Sequence, residues 1–183
     1  ADARTVVAAG HSEGSTVVAK MAATDRRLTH AVSLSGNPAG RMATIIAQQR
    51  GAEGADATEE LRRWESIIDQ PGEVTCTAGD APKTTYSFSV PPAEYLRRSR
   101  VPLLVVYGTR DAGAPFNDAF RLEMLRTRNA RLGFKDYPGL EHNFFGFKEG
   151  RINYDDYRWD EVAADFVRWV QTGRVVPAGA GKP

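Results

Sequence analysis

The sequence predicts an α/β protein, with a parallel sheet, helices over both faces and one long inserted segment. Four short apolar runs alternate with stretches of helical period. These runs lack the polar alternation of a strand with one wet face, so both of their faces should be buried. One gap, between Gly36 and Arg100, is too long for a simple crossover and is expected to hold a sheet-covering helix plus an inserted cap.

Thr5 to Ala9 (TVVAA) is β-branched and apolar, the first strand. Ser12 to about Thr24 follows as a helix, with Val17, Val18, Met21 and Ala22 as its inward face. Ala31 to Leu34 is a second strand, closed by the turn sequence Ser35-Gly36-Asn37-Pro38. Residues 40–50 have helical character. Asp56-Ala57-Thr58-Glu59 has the form of a capping box, with Asp56 as N-cap of a helix running through Trp64 to about Ile68. Pro71 to Pro92 is rich in Gly, Pro, Ser and Thr and is read as irregular cap structure.

Pro102 to Tyr107 (PLLVVY) is the clearest buried strand. Phe116 to Arg126 follows as an amphipathic helix, and Leu132 to Tyr137 as a fourth strand. Tyr157 to Gln171 is the closing helix, with Val162, Phe166, Val167 and Val170 inward; Gly173 ends it. The expected division is a core of residues 1–36 and 100–173, a crossover helix plus cap or lid over 37–99, and a flexible tail over 174–183.

With 183 residues, 42% hydrophobic and 26% charged, the chain suits one soluble domain with a sizeable core. A formal net charge of +1 gives no electrostatic reason to expect nucleic acid or an anionic membrane as partner. No apolar run approaches the roughly 18 residues of a membrane span. Cys76 is the single cysteine, so no intramolecular disulfide forms. No clustered His, Cys and carboxylate set suggests a metal, no glycine loop suggests a nucleotide, and no cofactor is expected. The compartment is left open.

Gly10-His11-Ser12-Glu13-Gly14 lies between a strand and a helix, the context in which Gly-x-Ser-x-Gly forms a nucleophile elbow. A sharp turn there exposes the Ser12 hydroxyl at the positive end of a helix, where the Glu13 backbone N–H can stabilise an oxyanion. A serine needs a base, and the base an orienting carboxylate. Asp111 lies just past the strand PLLVVY, and His142 in the loop Gly139-Leu140-Glu141-His142-Asn143-Phe144 after the fourth strand. Strand carboxyl ends are where such sheets place ligands. Asp118, inside a helix, and Asp136, inside a strand, are the alternatives to Asp111. His11 is read as a packing or hydrogen-bonding neighbour of the nucleophile that can border the substrate pocket. Phe144 and Phe145 are either pocket wall or core. His30 is read as structural.

GHSEG, YGTRD and GLEHNF, in this order and each after a strand, resemble the catalytic half of an α/β-hydrolase, nearest to the dienelactone-hydrolase and prolyl-oligopeptidase-like branches. The resemblance covers residues 4–172. It implies Ser12 as nucleophile, His142 as general base then acid, and Asp111 as the residue that fixes the His142 tautomer. The expected activity is hydrolysis of a small-molecule carboxylic ester through an acyl-enzyme. A peptidase or thioesterase would use the same residues, and a non-catalytic module of the same fold is the competing class.

The family normally carries further strands before the nucleophile, and a loop supplying the second oxyanion donor. Without them, residues 5–9 would form an open apolar edge. A companion N-terminal fragment, or a second copy of the chain, is therefore expected to pair there. Losing one oxyanion donor costs about 10²–10³ in turnover, so full activity is expected to need that portion.

Overall fold

The computed structural model describes residues 4–51, 56–75 and 79–175. β1 (Val7–His11), α1 (Glu13–Thr24) and β2 (His30–Leu34) come first. Four helices then precede the next strand: α2 (Arg41–Gly51), α3 (Thr58–Asp69), α4 (Pro82–Tyr86) and α5 (Pro92–Arg97). The chain continues through β3 (Leu103–Gly108), α6 (Ala114–Thr127) and β4 (Leu132–Tyr137). A hairpin of β5 (Phe145–Lys148) and β6 (Arg151–Tyr157) leads into α7 (Trp159–Thr172).

β1 to β4 form a parallel sheet in sequence order, with Gly10 opposite Ser33, Val32 opposite Leu104 and Val105 opposite Phe134. Successive side chains point to opposite faces, and on β2 and β3 both faces are dry. Ala31, Leu103, Val105 and Tyr107 join Val18 and Ala22 of α1, Leu96 of α5, and Phe120 and Met124 of α6 in one core. Val32, Leu34, Leu104 and Val106 join Tyr137, Leu140, Phe144 and the α7 residues Val162 and Trp169 in the other. That double burial is why the strands carry no polar alternation. Among the described residues, no helix is long and apolar enough to cross a membrane.

Several elements differ from the sequence reading. β1 begins two residues later than expected. On α1 the buried residues are Ser15, Val18, Ala19 and Ala22, while Val17 is 54% exposed. The helix phase is set at the elbow, and two alanines let α1 approach the sheet closely. On α7, Val162 and Trp169 are buried two turns apart, and Val167 faces solvent. Asp56 lies one residue before the N-cap position of α3, held by Ala57; its Oδ1 accepts the Thr58 N–H at 3.0 Å and the Thr58 hydroxyl at 2.6 Å. It therefore closes a local turn, and Glu59 pairs with Arg62 instead of reaching back to form a box. Pro82 opens a short helix inside the stretch expected to be irregular, and Pro92 opens another at the end of that stretch, each at a helical position where a missing N–H costs nothing. The β5–β6 hairpin was not foreseen. Cys76 and residues 176–183 of the expected tail lie outside the described residues.

Candidate active site

Ser12 alone separates β1 from α1, and it adopts φ 56°, ψ −120°. A non-glycine residue there is strained and must be held by its surroundings. Its N–H donates to the Leu34 carbonyl of β2 at 2.9 Å. The buried Ser15 hydroxyl donates to its carbonyl at 2.5 Å. A Cβ on Gly10 would lie 2.3 Å from the Gly14 carbonyl oxygen and 2.8 Å from Val18 Cγ2, so this turn admits only glycine at that position. Gly14 is different: a Cβ there meets nothing within 4 Å. Of the two motif glycines, sterics demand only the first. Glu13 opens α1, so its N–H is among the first-turn donors without an intrahelical acceptor.

Asp111 follows β3 and is buried. Its Oδ1 accepts the Gly113 N–H at 2.9 Å, and its Oδ2 lies 2.8 Å from His142 Nδ1. Asn117 of α6 clips this loop to the sheet, its amide donating to the carbonyls of Gly36 at 2.8 Å and Gly113 at 3.1 Å. Gly108 permits the close approach of the two loops, since a Cβ there would lie 2.3 Å from the Leu140 carbonyl oxygen.

His142 Nε2 lies 2.9 Å from Ser12 Oγ. An ionised Asp111 only accepts, so Nδ1 carries the proton and Nε2 is left to accept from the serine hydroxyl. The hydrogen bond to Asp111 raises the His142 pKa above its ordinary value; partial burial opposes the rise without cancelling it. The His142 carbonyl accepts from Ser35 Oγ at 2.7 Å and from His11 Nε2 at 2.9 Å. Glu141 Oε1 accepts the N–H groups of Asn143 at 2.7 Å and Phe145 at 3.1 Å. The loop is thus fixed on both sides of the imidazole.

The structure brings Ser12, Asp111 and His142 into one hydrogen-bonded row beside a cavity of about 200 Å³, whose walls include Glu13, Ser35, Asn37, Arg41, Thr44, Ile45 and Phe88. His11, Phe144 and Phe145 do not line it. His11 points behind the site, its ring 5.0 Å from that of His142 and 5.3 Å from that of Trp159. Phe144, at φ 59°, turns fully into the core against Tyr137 and Trp159. Phe145 packs edge-on against Tyr154 and at a tilt against Tyr157 of the hairpin. Asp118 accepts from the Tyr107 hydroxyl, and Asp136 from Arg121, both away from His142. The sequence reading missed Arg41 and Phe88 as wall residues, and Ser35 and Asn117 as supports. The Ser35 turn was visible in SGNP, but the direction of its hydroxyl was not.

A model of the dienelactone hydrolase family matches residues 76–173. No curated protein matches the chain closely enough to count as a relative. Among solved structures, Est1E from Butyrivibrio proteoclasticus is 18% identical with a TM-score of 0.55, the match covering 91% of this chain and 62% of that one. A puromycin-hydrolyzing peptidase of Mycobacterium tuberculosis is 16% identical with a TM-score of 0.54, over 98% of this chain and 23% of that one. A monoacylglycerol lipase of Paleococcus ferrophilus is 17% identical with a TM-score of 0.51, over 93% and 70%. At such identities the likeness is one of fold. The chain spans less than two thirds of the length of the first two.

Proposed function

Since the chain belongs to the dienelactone hydrolase family, we propose that it is a serine hydrolase cleaving a carboxylic ester through an acyl-enzyme on Ser12. One observation carries the reading: His142 stands 2.9 Å from Ser12 Oγ and 2.8 Å from Asp111, beside a cavity and behind a strained elbow. Ser12 Oγ attacks the ester carbonyl carbon while its proton passes to His142 Nε2. The Glu13 N–H at the start of α1 receives the developing oxyanion. The tetrahedral intermediate collapses, its ester C–O bond breaks, and His142 returns the proton to the leaving alkoxide. Water then attacks the acyl carbon as His142 takes its proton, the bond from Ser12 Oγ to the acyl carbon breaks, and His142 returns the proton to Ser12 Oγ as the acid leaves.

A fluorophosphonate probe tests this. It should label the protein on Ser12 and leave Ser12→Ala unlabelled; equal labelling of both would end the reading. A panel of p-nitrophenyl esters set against aminoacyl-p-nitroanilides separates ester from peptide cleavage, with turnover expected on the esters.

Residues 37–99 act as crossover and cap over a core of 1–36 and 100–173. A further strand of the same hydrolase pairs with the outer edge of β1 and brings the second oxyanion donor.

A further inference from the structure

Two cavities meet at Arg41. The one beside Ser12 and His142 holds about 200 Å³. A second of about 200 Å³ lies among α2, α3 and α4, with Met42, Ile67 and Thr85 in its walls. Arg41 and Ile45 belong to both linings. We infer that Arg41 is a specificity-determining partition: it restricts the acyl chain to the first cavity and, when withdrawn, opens the second to a longer chain. This rests on the ester-hydrolase reading above.

Three segments hold the guanidinium in the gap. Its Nη1 lies 3.5 Å from Glu13 Oε2 at the elbow, its Nη2 is hydrogen-bonded to Asp80 before α4, and its centre sits 5.3 Å from the ring centroid of Phe88. A planar, permanently charged group held this way fills space that an aliphatic chain would otherwise take. Its charge also faces two carboxylates, so the wall it forms does not favour a carboxylate-bearing acyl group. Ile45, shared by both cavities, and Met42 and Ile67 form the apolar part of the second cavity's wall, which also carries Glu60, Arg63 and Asp80; these apolar contacts reward added methylenes. The partition is movable, because Glu13 and Asp80 are well exposed and such ion pairs are individually weak.

The test compares kcat/KM for p-nitrophenyl butyrate and octanoate in wild type and variants. Wild type should prefer butyrate. Arg41→Ala should raise the octanoate-to-butyrate ratio by about tenfold or more, the scale on which pocket methylenes discriminate. Arg41→Lys should raise it less. Should Arg41→Ala fail to fold, Asp80→Asn loosens the same partition without deleting it, and should also raise the ratio. An unchanged ratio in a folded Arg41→Ala, or in Asp80→Asn, overturns the inference, as does a wild type that already prefers octanoate. Wild-type protein that neither hydrolyses esters nor takes up fluorophosphonate fails at the reading beneath it, and the partition falls with it.

Discussion

The 2.8 Å contact between Asp111 Oδ2 and His142 Nδ1 sets the pH behaviour of the site. Imidazole ordinarily titrates near pH 6.5, and the Asp111 hydrogen bond moves His142 upward from there. In the proposed mechanism only neutral His142 can take the Ser12 proton, so kcat/KM should rise with pH through a midpoint above about 6.5. Stability runs the other way. A raised folded-state pKa contributes stability that is complete below the unfolded value and is lost as pH climbs through the folded one. The site becomes competent as this contribution fades. Asp111→Asn should lower the midpoint and cut turnover by about 10⁴, because an amide no longer enforces the tautomer. A pH–rate profile of both proteins checks this; a midpoint unmoved by the substitution would contradict it. Ser12, Asp111 and His142 were legible because each lies in a short motif just past an apolar run. The packing and hydrogen-bonding place of His11 beside the site was legible too; whether Phe144 and Phe145 form pocket wall or core was not, because the backbone angle at a turn decides where a side chain points. Phe144 at φ 59° turns into the core, and adjacency in sequence gives no sign of it.

The elbow shows how an element constrains its own sequence. Between β1 and α1 there is room for one strained residue only, and Gly10 faces the backbone of Gly14 with no space for a methyl group. Gly10→Ala should therefore cost about 1–3 kcal/mol or more in urea denaturation, the scale of overpacking, and should slow labelling of Ser12 by displacing it. Gly14→Ala places its methyl in open space within a helix, where alanine is favoured over glycine by up to about 1 kcal/mol. It should fold as well as wild type or better. Equal losses for the two variants would show that the packing at Gly10 is not the constraint. The other elements were legible in proportion to the length of their pattern. β2, β3, β4 and α6 were located to within one or two residues from apolar runs and periodicity. α4 and α5 span five and six residues, too few to develop a period, and the proline at the head of each is a loop signal as much as a helix start. The α1 face was misplaced because a helix of small residues has several faces of similar hydrophobicity, and the sheet selects one.

At the scale of the whole molecule, alternating strands and helices gave the parallel sheet and its two covered faces, but not the degree to which each strand is enclosed. β3 is buried along its full length, and β2 nearly so. β1 stands at the sheet edge, with its Val7 38% and the preceding Val6 42% exposed and no strand hydrogen-bonded to its outer side among the described residues. An apolar strand in that position has unpaired backbone groups and unburied β-branched side chains, and both drive association. On the architecture proposed above, a further strand belongs there. The 183-residue chain by itself should then self-associate with concentration in light scattering, and Val7→Lys should suppress this by placing a charge on the edge. Supplying the further strand in cis should yield a monomer, shield the β1 amides from hydrogen exchange and raise turnover by about 10²–10³, as a second oxyanion donor would. A chain that stays monodisperse and monomeric at all concentrations, and unfolds in one cooperative step, would show that β1 is a finished edge. The site must then work with the donors it already has.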